Sequence, residues 1–277
     1  MIPPDTHSTL HLAAVENDGN QRPGDDDAVR GREPAAVAAE DPWGARGHSD
    51  LPRSNAVYNS KEYWEGRFRE EKEYEWLASF SDVWGQLSKC VPPASHDPSI
   101  LLVGVGNSAF SADLYEKGYT NLTNIDYSKN VINAMKIKYG TSHPRMKWLA
   151  MDMTAMDDLP DGSFDVVIDK AAMDALMSGE GDVWNPDVGV VASCRAMCRH
   201  VSRVLGKMGT FVQVSFAQPH FRKKYLLGLH RTDDGEGAVP GVSNVDCEFD
   251  WNYKVEPLGG ENAPGAFHHY IYTMNKG

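Results

Sequence analysis

The apolar positions of this chain change period several times. SILLVGVG (99–106) is a short apolar run closed by glycines, the pattern of a buried strand. SAFSADLYEKG (108–118) follows as a helix that Gly118 stops. NLTNIDY (121–127) predicts a strand. SKNVINAMKIKYG (128–140) predicts a helix with Val131, Ile132, Met135 and Tyr139 on one face, and MKWLAMD (146–152) and SFDVVIDKA (163–171) two more strands. VGVVASCRAMCRHVSRVL (188–205) carries the cleanest 3.6-residue stripe, from Val190 through Cys194, Met197, Cys198 and Val201 to Leu205. GTFVQVSF (209–216) is again a strand. Repeated strand-then-helix at these lengths predicts an α/β fold, a Rossmann-like doubly wound, mostly parallel sheet with helices on both faces. The end breaks the alternation. After QPHFRKKYLLGL (218–229) and a Gly/Asp/Pro-rich loop, EFDWNYKVEPL and AFHHYIYTMNK predict a C-terminal antiparallel β-hairpin on the sheet edge.

Ahead of the sheet, Asn59 or Ser60 caps a helix expected over KEYWEGRFREEKEYEWL (61–77), with Tyr63, Trp64, Phe68 and Leu77 near helical spacing. SFSDVWGQLSKCV (79–91) predicts a shorter helix, ended by Pro92-Pro93. Residues 1–55 differ in texture. They hold ten acids against five bases, the run Asp25-Asp26-Asp27, much Pro, Gly and Ala, and one aromatic, Trp43. Such a stretch buries too little apolar surface to offset its ordering entropy. A disordered acidic tail is therefore expected over 1–55, and one domain over 56–277.

Composition then narrows the function classes. Of 277 residues, 27 are Lys or Arg and 39 Asp or Glu, a formal net charge of −12. Proteins that grip a phosphate backbone usually carry a basic excess, so no nucleic-acid partner is expected, whereas a basic protein or a small ligand suits this surface. No run approaches the length of an apolar membrane span, and the N-terminus lacks the pattern of a signal peptide. No membrane partner is expected, and the default compartment is the cytoplasm. Four cysteines (Cys90, Cys194, Cys198, Cys247) are too sparse for a disulfide scaffold. Cys194 and Cys198 share the apolar stripe and read as packed thiols, so no metal is expected.

Candidate chemistry collects at strand ends. Gly104-Val105-Gly106-Asn107-Ser108-Ala109 turns the first strand into a helix. Glycines there let the backbone approach a ligand at a helix N-terminus, although G-x-G-x-x-A also fits a ligand-free turn. Asp126 ends the next strand, twenty residues past Gly106. A carboxylate there accepts both hydroxyls of a ribose, of NAD or S-adenosylmethionine alike, or else caps the helix that Ser128 opens. Asp152 and Met153 end the third strand, and Asp161-Gly162-Ser163-Phe164-Asp165 leads into the fourth.

In this order the glycine turn, Asp126, Asp152, the Ser-Phe-Asp-Val-Val run and a terminal hairpin resemble the class I (seven-strand) S-adenosylmethionine-dependent methyltransferases. EYWEGRF and YEWL, VGNSAFSADLYEKGY, NIDYS, MDM, FDVVIDKAAMDAL, QPHFRKKY and FHHYIYTMNKG narrow the likeness. Through them residues 57–277 resemble the eukaryotic protein-lysine methyltransferases that act on translation elongation factor 1-alpha. The resemblance implies S-adenosyl-L-methionine as cofactor and a protein substrate such as that factor. It implies that Trp64, Phe68 and Trp76 close over the cofactor, and that Gly104 and Gly106 form its loop. Asp126 and Tyr127 match the ribose and adenine edge, Asp152 and Met153 the adenine, and Lys170 the last contact. Spacing alone would make the three aromatics core. The chain departs from the family pattern in four places. It has Gly-Val-Gly for Gly-Cys-Gly, and Asp169-Lys170-Ala171-Ala172 for D/E-K-G-T. It has Gly206-Lys207-Met208-Gly209 for Pro-Gly-Gly, and a longer loop at 231–247.

Methyl transfer to lysine needs a neutral amine, which costs about 4–5 kcal/mol at pH 7 from a reference pKa near 10.4. A desolvated channel lowers that cost, and a carboxylate can orient the amine or relay its proton. Asp169, ending the fourth strand, is the candidate for that role, and Tyr270, His268 and Phe221 for the channel wall. Only one of His268 and His269 can face a site, because a strand alternates its faces. Arg222-Lys223-Lys224 reads as a solvated face. A small-molecule methyltransferase would share all these motifs, a NAD-dependent oxidoreductase only the first two, and a non-catalytic binding module only the fold. Nothing in the sequence fixes the oligomeric state.

Overall fold

The computed structural model describes residue 52 and residues 54–228, 247–259 and 269–277. Almost all of the expected tail and of the 231–247 loop, as well as His268, lies outside the described residues. Seven strands make one sheet: β1 (Ile100–Val103), β2 (Leu122–Asp126), β3 (Lys147–Ala150), β4 (Phe164–Lys170), β5 (Leu205–Ser215), β6 (Trp251–Pro257) and β7 (Tyr270–Lys276). Their order is β3-β2-β1-β4-β5-β7-β6. The first five are parallel, and β7 pairs antiparallel with both β5 and β6. The doubly wound sheet and its terminal hairpin are those the apolar pattern predicts.

Period-2 alternation divides the core into two layers. Ile100 and Leu102 of β1 pack with α2 (Phe80–Leu87), α3 (Phe110–Glu116) and α4 (Lys129–Tyr139), through Val83, Leu87, Leu114, Val131 and Met135. Leu101 and Val103 face the opposite layer. There the stripe Cys194, Met197, Cys198 and Val201 of α6 (Val188–Val204) packs with Met173 of α5 (Ala172–Met177) and Tyr225 of α7 (Pro219–Leu227). Both thiols are buried as the stripe predicts, and burial pushes that of Cys194 up to about 12.

The helix expected over 61–77 ends early, as α1 (Lys61–Glu70). The Arg67 guanidinium donates to both Glu71 carboxylate oxygens, at 2.9 and 2.7 Å, and the Asn107 amide takes the Glu71 carbonyl at 3.1 Å. The chain thus leaves the helix to run over the glycine turn, with Leu77 in the left-handed region at φ 66°. The next helix is shorter too, α2, begun by a reciprocal cap between Ser79 and Asp82. The stretch between β4 and α6, which carries no clear period, folds as α5 and a small antiparallel ladder pairing Gly181–Asp182 with Asn185–Pro186.

The chain travels outward from β1 to β3 and returns to β4 on the other side of β1. In open sheets, ligands bind at this reversal, over the carboxyl ends of the strands.

Candidate active site

Strand register builds the site. Val103 lies opposite both Ile125 and Asp169, and Asp126 lies opposite Ala150. One residue past Val103, Gly104, Asp126 and Lys170 therefore form a row across three strand ends, on the face of α2–α4. Gly104 and Gly106 have φ of +58° and +52°. A Cβ on Gly104 would stand 2.4 Å from that of Ala172, whereas one on Gly106 would only touch the Phe68 ring at 3.4 Å. Only a glycine turn lets β1 and the start of α5 come this close.

The Asp126 carboxylate is tied into that turn. One oxygen accepts the Gly106 amide at 3.0 Å and the other the Ser128 amide at 2.9 Å. Burial pushes this carboxyl up to about 6, against the pull of the two amides. A carboxylate offers about four acceptor positions, so two amides leave room for two more donors. The Asp126 carbonyl accepts the Met151 amide at 2.9 Å, which sets Asp152 and Met153 beside the end of β2. Asp152 is exposed, and one of its oxygens accepts the Thr154 amide at 2.8 Å and hydroxyl at 2.7 Å. Tyr127 is half-buried, with the Lys61 ammonium 5.6 Å from its ring centroid.

Trp64, Phe68 and Trp76 form one cluster. The Trp64 ring stacks on Phe68 at 5.5 Å and meets Trp76 edge-on at 5.5 Å, and its indole N–H donates to the Tyr58 carbonyl at 2.7 Å. All three are half-buried, unlike core residues. Glu75, which no spacing rule singles out, ties this cluster to the sheet. Its Oε1 accepts the Ser108 hydroxyl at 2.6 Å and the Ala109 amide at 2.7 Å. Its Oε2 lies 3.1 Å from the Lys170 ammonium. Lys170 also donates to the Trp76 carbonyl at 2.8 Å, and burial pulls its ammonium below the usual lysine range. The only hint of Glu75 in the sequence is an acid set between Tyr74 and Trp76, which the helical reading of 61–77 hides.

Asp169 points to the opposite face. It is 1% exposed, and its oxygens accept the Ala172 amide at 2.8 Å and the Gln213 amide group at 2.6 Å. Burial first, then the neighbouring Asp174 charge, pushes its carboxyl up to about 6. Beneath it, Arg222 corrects the expectation of a solvated face: it is fully buried, paired with Asp174 and donating to the Ser215 hydroxyl at 3.0 Å. Its apolar-stem position on α7 turns inward, while Lys223 alone of that run is exposed. Tyr270 opens β7 opposite Ser215, half-buried at the carboxyl edge of β5, and Phe221 lies in the first turn of α7. The site therefore gathers Gly104, Gly106, Asp126, Lys170 and the aromatic cluster on one face. Tyr127, Asp152 and Met153 flank them, and Asp169 stands apart.

A sheet of this order, with a glycine turn after β1 and a buried acid ending β2, defines a class I S-adenosylmethionine-dependent methyltransferase, and S-adenosylmethionine is its cofactor. The residues present fit that group: a turn in which Gly104 and Gly106 carry no side chain, a carboxylate with two spare acceptor positions, and an aromatic cluster. A family model described as a methyltransferase domain matches residues 101–213. The chain is 32% identical to EEF1A lysine methyltransferase 4 of Mus musculus over 231 residues, covering 82% of this chain and 80% of that enzyme. It is 38% identical to the human eEF1A lysine and N-terminal methyltransferase, over 75% of this chain and 28% of that protein. Among solved structures it is similar to the N-methyltransferase NodS from Bradyrhizobium japonicum WM9 in complex with S-adenosyl-L-homocysteine. The identity there is 13% and the TM-score 0.49, over 79% of this chain and 98% of that one. The chain belongs to the eEF1A lysine methyltransferase family. No helix among the described residues is long and apolar enough to cross a membrane.

Proposed function

We propose that this chain methylates the ε-amine of a lysine in translation elongation factor 1-alpha. The observation that carries the reading is the 32% identity to a lysine methyltransferase of that factor across 80% of its length. The acidic balance, −12 over the whole chain, supports a basic protein partner. The reading puts the reaction in the cytoplasm, with residues 56–277 as the catalytic unit and the acidic 1–55 outside it.

When bound, S-adenosylmethionine supplies an electrophilic methyl carbon on a sulfonium. The chain's own residues bind, orient and dry the site. Asp126 accepts the ribose hydroxyls through its two spare positions, over the floor left by Gly104 and Gly106. Tyr127, Asp152 and Met153 line the adenine side. Trp64, Phe68 and Trp76 roof the site and exclude water, held by Glu75 and Lys170. The amine would reach this site neutral, having lost its proton to solvent, and the bound cofactor would supply the methyl group and leave as the thioether. Tyr270 and Phe221 line the approach, where an apolar wall favours the neutral amine. Asp169 acts as a positioning residue: through the Ala172 amide it fixes the start of α5 against Gly104. Incubating the full chain with purified, unmethylated elongation factor 1-alpha and labelled S-adenosylmethionine tests the reading. Label on a lysine, mapped by mass spectrometry, is expected. An unlabelled factor, with label on another protein of an extract, would overturn it.

A further inference from the structure

We infer that Trp184 and Val188, at the tip of the ladder after α5 and the start of α6, form the docking surface for a basic segment of the protein substrate. This rests on the functional reading above. Trp184 and Val188 are 80% and 84% exposed, four residues apart, among a handful of large apolar side chains facing solvent. Large rings left in water at a surface mark interaction sites, and Trp is enriched at binding hot spots.

Position follows from topology. Helix α6 joins β4 to its parallel neighbour β5, so it starts at the carboxyl edge of the sheet, where the cofactor site lies. Helix α7 starts just past the carboxyl end of β5. The ladder, which leads from α5 into α6 and touches α7 through Trp184 and Phe221, therefore lies toward the same sheet edge.

The tip is also held rigid, which an unengaged loop does not require. The Trp184 amide donates to Asp182 at 2.9 Å, the Asp187 amide to the Glu180 carbonyl at 2.8 Å, and the Lys224 ammonium to the Val183 carbonyl at 2.7 Å. The Trp184 ring meets Phe221, on α7, edge-on at 5.5 Å. An immobilised ring loses little further freedom on binding.

Charge selects the occupant. Between Lys170 and Arg195 the chain carries four acids, Asp174, Glu180, Asp182 and Asp187, and no base or histidine. Asp174 is buried against Arg222 and Glu180 accepts the Tyr225 hydroxyl, whereas Asp182 and Asp187 are exposed and flank Trp184 within three positions. An indole face bordered by carboxylates attracts Lys and Arg side chains. Of the bases on α7, Lys224 is spent on the backbone of the ladder, while His220 packs on Phe221 and Lys223 is exposed.

The test compares Trp184→Ala, Trp184→Phe and the wild-type chain on elongation factor 1-alpha. Trp184→Ala is expected to raise KM for the protein at least fivefold. Its kcat, its Kd for S-adenosylmethionine and its melting temperature should stay within twofold or two degrees. Trp184→Phe should recover most of the loss. With Asp182→Asn, which keeps the acceptor for the Trp184 amide, KM should rise and its salt dependence flatten. An unchanged KM in Trp184→Ala, a loss in kcat or cofactor affinity instead, or a dimer that the variant dissolves without any KM effect would each overturn the docking surface. Failure of the wild-type chain to label the factor would overturn the functional reading and the inference with it, whereas an active wild type with unaltered variants sinks the inference alone.

Discussion

Asp126→Ala is the sharpest test of the cofactor site, because the carboxylate's present partners fix what its loss should cost. Its two oxygens hold the Gly106 and Ser128 amides at 3.0 and 2.9 Å, and a ribose would add two donors. Hydrogen bonds to a charged acceptor contribute about 1.5–3 kcal/mol, which corresponds to about 10- to 150-fold in Kd for S-adenosylmethionine. A second signature comes from protonation. Burial raises this carboxyl from 3.8 to about 6 in the free protein. Ribose hydroxyls donate only to its ionised form, about one-tenth of the population at pH 5 and nearly all at pH 8. Wild-type affinity should therefore tighten about tenfold between pH 5 and pH 8, and the variant's should not. The free protein should show the opposite trend. Its folded state holds the Asp126 proton more tightly than the unfolded chain, so stability falls as pH rises from about 4 to 6, by about 3 kcal/mol, and is level above. Asp126→Asn should remove that share of the slope and leave the similar share of Asp169, whose carboxyl burial also raises to about 6. Titration calorimetry across pH 5–8, in buffers of different ionisation enthalpy, reads both the affinity and the proton released. A pH-independent wild-type Kd, or an unchanged Kd in Asp126→Ala, would mean that this residue only caps α4.

Gly104→Ala places a methyl 2.4 Å from Ala172 at a φ of +58°, so thermal unfolding should show a loss of about 1–3 kcal/mol, with cofactor affinity falling in parallel. Ala171→Gly should raise stability by about 1 kcal/mol in denaturant titration, because Ala171 sits at φ 70°, a strained conformation for any residue with a Cβ. Glu75→Gln keeps an acceptor for the Ser108 and Ala109 donors but strands the Lys170 charge. A loss of about 1–3 kcal/mol is expected, below the range for fully buried pairs because Glu75 is partly exposed, together with a weaker Kd for S-adenosylmethionine. A chain shortened to begin at Asn55 should match the full chain in melting temperature and in turnover.

The sheet was legible because β1, β2 and β4 are buried on both faces and their apolar runs end in residues with an evident purpose: two glycines, Asp126, Asp169. The position of Asp126 beside the turn follows from the parallel register, in which Val103 lies opposite Ile125. Three features escaped. Helix α1 stops at Glu70 because of bonds from Arg67 and Asn107, and Asn107 is more than thirty residues away, beyond any periodic signal. Glu75 is a polar residue whose value lies in three partners from two other elements. Arg222 looks solvated in a run of three bases, yet its burial is set by Asp174, forty-eight positions earlier. Asp169 was legible as a strand-end acid but not as one facing away from the cofactor, because adjacent strand residues, Asp169 and Lys170, must point to opposite sides.

The buried Arg222–Asp174 pair joins α5 to α7, and it constrains how the surface above them can change over generations. Losing one partner leaves an uncompensated interior charge, about 3–5 kcal/mol against a total stability of about 5–15. Either single replacement brings the protein near its folding threshold, while an apolar pair in both places is tolerable. The two positions are thus epistatic: a lineage crosses from one state to the other only through a compensating background. Exposed positions such as Trp184 are then free to drift, while α5 and α7 stay locked in place beneath them.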